Sequence, residues 1–271
     1  MEVGMSTACF FGRLLNEEAL REIGDMDIHL AEVFFAGQCE YQPSFLHELR
    51  SIAEEKNIRI RSVHAFTTQF EPQLLSIHPR QYNEAMETLY KVLAAAQYLG
   101  ADTYVFHGPP YLKTARKLEI DYRRVGRTVS EIADLAADYG VRLCYETVHW
   151  CWYQFPDFAP RLLEHVSSGN LYFTLDMKQA AQSGYEMSEY IDKMDGRLAH
   201  VHVCDFRVDL ERGTVPCMPM NGQADWNTLR AKLQEVRFGG DLMLEVYTRD
   251  YDTREELLSS YDAVRSFFAT S

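Results

Sequence analysis

Two periods of apolar residues alternate along this chain. Short runs rich in Val, Ile, Leu, Phe and Tyr recur roughly every 25 to 40 residues, and each precedes a longer stretch with apolar positions three and four apart, the pattern of strand followed by helix. Strands are predicted near residues 2–8, 27–35, 58–65, 102–107, 141–147, 170–176, 198–204 and 241–247. A helix is expected to start near Asn16, a plausible N-cap, and another at Pro43-Ser44. A long one runs from Pro79 to Leu99, with Met86, Leu89, Val92, Leu93 and Ala96 on one face and Gly100 as its stop. Arg116 to Tyr139 reads as helix closed by Gly140, and Thr253 to Phe268 as the last helix. Eight strand–helix units with no linker between them predict a single domain over residues 1–271, a (β/α)8 barrel.

The stretch Arg197 to Phe206 organises the rest. Ala199, Val201 and Val203 alternate with His200, His202 and Cys204, so if the apolar set faces the helices the other three point into the barrel. Other strands end in acids: Glu146 closes Val141–Glu146, Asp176 closes Leu171–Asp176 and Glu245 closes Leu242–Glu245. One such acid alone is explained by capping or solvation. Charges brought together at one barrel mouth repel unless a cation neutralises them, which points to a metal site. One imidazole and three carboxylates suit one divalent ion, Mn, Mg, Co or Zn, and leave a site that tolerates a polar, uncharged substrate. The alternation of Ile28, Leu30 and Glu32 puts Glu32 on the inward face, and His64 and His107 end the third and fourth strands. The aromatic segment Thr147 to Pro156 is read as a pocket wall or an oligomer contact, and Asp205 to Asp225, with Pro216, Pro219 and Gly222, as the longest irregular connection.

Composition narrows the partners. A formal charge of −13 opposes binding to nucleic-acid phosphates. The six cysteines are scattered without a C-x-x-C pair and read as reduced thiols. No signal peptide or membrane-length apolar run is visible, so a cytoplasmic protein with no membrane partner is expected. A homodimer or homotetramer stays open.

Glu146, the Leu175-Asp176 run, His200-Val-His202 with Asp205 three residues on, Gly222-Gln-Ala-Asp-Trp226 and Leu244-Glu245 together resemble the xylose isomerase-like TIM barrels, over essentially the whole chain. The superfamily contains sugar isomerases and epimerases and also endonuclease IV. The resemblance implies that Glu146, Asp176, His202 and Glu245 bind one divalent metal, that Glu146 and Glu245 are the catalytic acid/base pair, and that His64 and His107 hydrogen-bond the hydroxyls of a small sugar. Many members carry His three residues after the sixth-strand acid and Lys two residues after the seventh-strand histidine; here those positions are Gln179 and Cys204. Gln179 can still bind a hydroxyl but cannot shuttle a proton, and Cys204 removes a fixed positive charge. His149, Trp150, Lys178, Arg207 and Arg249 lie where substrate contacts occur, or are solvated. The substrate-facing set is then His64, His107, Gln179, Glu32, Trp150 and Arg249. The leading expectation is a metal-dependent isomerase or epimerase of a small sugar or keto-sugar working through an enediolate. The alternatives are a sugar or inosose dehydratase on the same site, or a non-catalytic sugar-binding barrel. Endonuclease chemistry is disfavoured because Gln179 and Asp225-Trp226-Asn227 lack the histidines it needs.

Overall fold

Strands buried on both faces need helices outside and filled space inside, and a closed barrel meets both demands. The computed structural model describes residues 1–66, 69–111 and 119–269. Its barrel strands are β1 (Val3–Ser6), β2 (Leu30–Phe35), β3 (Arg59–Ala65), β4 (Thr103–Phe106), β5 (Arg142–Glu146), β6 (Leu171–Asp176), β7 (Leu198–Val203) and β10 (Asp241–Leu244). Neighbours pair in parallel in that order, and β10 closes on β1 through Val3 opposite Leu242. The helices are α1 (Asn16–Asp25), α2 (Pro43–Glu55), α3 (Glu71–Leu74), α4 (Pro79–Leu99), α5 (Tyr122–Asp138), α6 (Phe158–Leu163), α7 (Met177–Ser183), α8 (Met187–Lys193), α9 (Trp226–Glu235) and α10 (Arg254–Ala269). The described residues form a closed (β/α)8 barrel.

Helix faces follow the apolar spacing. In α5, Val125, Val129, Ile132, Ala133 and Ala136 are buried, and each large apolar side chain so placed contributes about 1.5–3 kcal/mol. Gly100 caps α4 in the left-handed conformation, φ 79°, where a side chain would be strained.

Three local expectations are corrected. Asn16 is not a cap: it is the first residue of α1, and its amide donates to the Phe34 carbonyl at 2.8 Å and to Glu40 at 3.1 Å, tying the helix to β2. The helix expected from Arg116 starts at Tyr122, where Asp121 accepts from the Arg124 N–H; residues 116–118 of that expectation lie outside the described residues. The connection after β7 is not wholly irregular. It folds into an antiparallel hairpin, β8 (Asp205–Asp209) and β9 (Gly213–Cys217), and Pro216 is tolerated because a two-stranded ribbon has only edges.

The Gly222–Trp226 segment has a structural explanation here. Buried Asp205 accepts from the Ala224 N–H at 2.9 Å and the Trp226 indole at 3.0 Å, clamping the hairpin to the start of α9. A Cβ at Gly222 would lie 2.1 Å from Asp205 Oδ1, so only glycine fits. Asp225 then caps α9, accepting from the Thr228 N–H.

Candidate active site

At the C-terminal ends of the strands the register sets Asp176 beside His202 and Glu146 beside Thr174. His202 is the hub. Its Nε2 lies 3.2 Å from Glu32 Oε2 and, because a carboxylate only accepts, carries the proton there. Its Nδ1 faces Glu146 Oε1 at 2.7 Å, Glu245 Oε2 at 3.0 Å and Asp176 Oδ2 at 3.9 Å. Burial opposes a charge on His202, but Glu245, Glu32 and Glu146 override it and hold the imidazole well above its usual pKa.

Glu32 does not line the mouth. It is fully buried beneath the histidines, accepting from the hydroxyls of Ser6 at 2.9 Å and Ser62 at 2.7 Å and from His200 at 3.1 Å as well as from His202. Its expected role in substrate contact is therefore corrected: it orients His202 from below. His200 is also fully buried, and burial pushes it towards the neutral form.

On the other side of Glu146, Oε2 contacts His107 Nε2 and lies 3.6 Å from His64 Nε2. Burial opposes ionisation of Glu146, yet His107 and His202 hold its carboxyl well below the usual range. His64 donates from Nδ1 to the Ala65 carbonyl at 3.0 Å, which turns Nε2 towards His107 at 2.9 Å. His107 is fixed from behind by Glu71, whose Oε2 accepts the His107 and Gly108 N–H groups at 2.8 and 3.1 Å while Oε1 accepts the Tyr104 hydroxyl at 2.6 Å. Gly108 makes this turn with φ 71°, and a Cβ there would lie 2.0 Å from the Tyr145 hydroxyl.

Of the four ligands expected, Glu146, His202 and Glu245 bring donor atoms within 4.8 Å of one another. Asp176 stands outside that group. Its Oδ1 caps α7 through the Gln179 N–H at 3.0 Å, and its Oδ2 is paired with Lys178 Nζ at 2.6 Å. Lys178 also meets Glu245 Oε1 at 2.9 Å. Burial opposes the ammonium, but Asp176 and Glu245 hold it charged. Burial likewise pushes Asp176 up to about 6 despite Lys178, with Glu146 and Glu245 adding like charge.

The donor set fits a divalent ion. Ligands at right angles around an ion with ~2.1 Å bonds lie ~3 Å apart, close to the 2.7 and 3.0 Å seen from His202 Nδ1 to Glu146 and Glu245. Glu32 on Nε2, the usual outer support of a metal-bound histidine, turns Nδ1 towards the acids, where an ion would take the place of the Nδ1 proton.

A cavity of about 270 Å³ opens above Glu146 and Glu245. His64, His107 and Gln179 line it with them, and Phe11, Phe34, Phe66, Trp150 and Tyr247 supply aromatic walls. Trp150 meets the His107 ring edge-on at 5.9 Å, and Gln179 Oε1 accepts from the His149 backbone N–H at 3.2 Å. Arg249 does not reach this cavity: its side chain is 72% exposed, stacks 4.7 Å over Tyr247 and lines an outer cleft with Met218 and Tyr251. Arg207 is spent on the Asn221 carbonyl, and the Cys204 thiol donates to the Cys217 carbonyl. Sequence reasoning missed Glu71 and the three phenylalanines, and left Lys178 undecided. The available signal for the lysine was its place two residues after the strand-end acid Asp176.

No curated protein matches the sequence significantly. Solved structures share the fold. A D-tagatose 3-epimerase-like protein superposes with TM-score 0.83 at 18% identity, covering 100% of this chain and 98% of its own. D-psicose 3-epimerase from Clostridium cellulolyticum H10 gives 0.80 at 17%, covering 100% and 99%. A probable 3-DHS dehydratase from Bacillus anthracis gives 0.74 at 13%, covering 97% and 98%. The family model described as xylose isomerase-like TIM barrel matches residues 21–266. With strand order, barrel closure and that match in agreement, the chain belongs to the xylose isomerase-like TIM barrel family.

Proposed function

We propose that the protein is an isomerase or epimerase of a small sugar or keto-sugar, acting by proton abstraction next to a carbonyl. The observation that carries this reading is the pair Glu146 and Glu245, which lie 2.7 and 3.0 Å from His202 Nδ1 and both line an aromatic-walled cavity. One carboxylate takes the proton from the carbon beside the carbonyl, giving an enediolate. The other, after taking up a proton from solvent, gives it to the opposite face for epimerisation or to the neighbouring carbon for isomerisation. Glu146, held ionised by His107 and His202, is in the unprotonated form that the base role requires. His64, His107 and Gln179 present polar groups to hydroxyls, while Trp150, Tyr247 and the phenylalanines cover carbon faces and exclude water. A divalent ion held by Glu146, His202 and Glu245 would supply polarisation of the substrate's carbonyl and hydroxyl oxygens. The epimerase activities in the names of two structural neighbours support the same reading.

The test is a panel of keto- and aldo-sugars in deuterated water with added Mn²⁺. Label uptake reports proton abstraction whatever product forms. Glu146→Gln and Glu245→Gln are each expected to slow uptake about 10²–10⁴-fold. Full uptake in both variants would refute the assignment. A dehydratase would begin with the same abstraction and then expel a hydroxyl, protonated by the second carboxylate; product mass, lower by one water, separates the two.

A further inference from the structure

Among the described residues Lys178 is the only lysine or arginine that is fully buried. It follows Asp176 on the first turn of α7, and its side chain turns inward where a lysine ordinarily reaches for solvent. All three ammonium protons have acceptors: Asp176 Oδ2 at 2.6 Å, Glu245 Oε1 at 2.9 Å and the Glu245 carbonyl at 3.3 Å. None is left for a ligand, and Lys178 does not line the cavity above the acids. Its role must be exercised through the two carboxylates it holds.

The geometry of those carboxylates says what that role is. Glu245 gives one oxygen to Lys178 and turns the other towards His202. Both Asp176 oxygens are already held, Oδ1 by the Gln179 N–H and Oδ2 by Lys178, and Oδ2 lies 3.9 Å from His202 Nδ1, where the Glu146 and Glu245 oxygens lie at 2.7 and 3.0 Å. It accordingly stands outside the group of donor atoms formed by Glu146, His202 and Glu245.

We infer that Lys178 is a resident counter-cation that withdraws Asp176 from the ion site and shares Glu245 with it, so that a divalent ion is held by three protein ligands and weakly. The inference rests on the proposed ion-dependent reading of the site and deepens it. With Lys178 present, three carboxylates and a divalent ion come to formal neutrality instead of one negative charge. A bound ion feels the ammonium as a like charge across a shared carboxylate in a poorly screened interior. Without any ion, Lys178 keeps two of the three acids from repelling each other, so the site stays assembled.

Titration with Mn²⁺, followed by calorimetry or by the electron spin resonance of free Mn²⁺, tests this on the wild type and on Lys178→Met, Lys178→Gln and Lys178→Arg. Lys178→Gln keeps N–H donors for the carboxylates and guards against a Met variant that fails to fold; melting in saturating Mn²⁺ verifies folding. Loss of the charge in Met and Gln is expected to tighten Mn²⁺ binding at least tenfold, about 1.4 kcal/mol, with Arg within about threefold of wild type. Chelation should lower the melting temperature of Met and Gln more than that of the wild type. A merely structural lysine would give the opposite sign, weaker Mn²⁺ binding in Met and Gln. Binding no tighter than wild type in both, or no binding by any form, overturns the inference. Failure here with deuterium uptake intact leaves the isomerase reading standing, whereas the affinity shift without uptake removes the reaction and leaves the counter-cation.

Discussion

Removal of Glu71 tests whether the mouth is held from behind. In Glu71→Ala the Tyr104 hydroxyl and the His107 and Gly108 N–H groups lose their acceptor. Each buried polar group left unmatched costs about 1–3 kcal/mol, partly offset because a buried carboxylate no longer has to be desolvated, so a net loss of roughly 2–5 kcal/mol is expected. Glu71→Gln keeps one oxygen for the two N–H groups and should cost about 1 kcal/mol. Its pH dependence has a definite sign. Burial raises the Glu71 pKa above 4.5, with His107 and Tyr104 pulling it back only in part. A carboxyl whose folded pKa exceeds its unfolded value contributes fully below the unfolded pKa, and that contribution is lost as pH rises through the folded one. Glutamine does not titrate. The stability gap between wild type and Glu71→Gln should therefore be widest near the unfolded value of 4.5 and narrow towards neutrality. Urea denaturation at pH 5 and pH 7.5 measures it, and deuterium uptake by Glu71→Ala should fall because His107 is no longer oriented. A Glu71→Ala protein as stable as wild type, or a gap that widens with pH, would refute the reasoning.

Glu32→Gln offers a single oxygen where three donors now share Oε2; Mn²⁺ affinity should drop about 10–100-fold, the usual effect of losing a ligand's outer partner. Arg249→Ala should leave KM and kcat unchanged and stability within about 0.5 kcal/mol, because that side chain is 72% exposed outside the cavity; a raised KM would return it to the substrate. Gly222→Ala forces a Cβ to 2.1 Å from Asp205 Oδ1, and the overpacking should cost about 1–3 kcal/mol, read by thermal melting.

What was legible in the sequence was whatever strand periodicity carries. Glu146, Asp176, His202 and Glu245 could be placed at the barrel mouth because each lies within a residue of the C-terminal end of an apolar strand, and a parallel barrel collects strand ends on one face. The aromatic wall was illegible for the complementary reason. Phe11, Phe34 and Phe66 come from three different segments and meet at centroid separations of 5.6 to 6.1 Å, a contact that no local spacing encodes. Glu71 sits on a four-residue helix too short to show a period. Arg249 was misplaced because Thr248–Asp250 forms a tight turn after β10 that carries it outward and leaves Tyr247 at the wall. The hairpin was hidden by the glycines and prolines of Gly213–Gly222, residues that signal loops unless a partner strand is known.

Lys178 and Cys204 show why a residue-by-residue comparison with a family misjudges a site's charge. Position 204 holds a cysteine where the family resemblance leads one to expect lysine, and read alone that difference removes a positive charge from the mouth. An ammonium is nevertheless present, 2.9 Å from Glu245, arriving from the helix after β6. Electrostatics depends on where a charge ends up and not on which strand delivers it, and a side chain as long as lysine can reach one cluster from neighbouring strands. The same limit applies to ligands. Asp176 stands at the end of its strand as the pattern requires, yet the residue two places on determines whether its oxygens are free. On the proposed reading, which acids hold an ion depends on the partners that compete for them, and exchange of Lys178 for an uncharged residue should change how tightly an ion is held although every proposed ligand residue is kept.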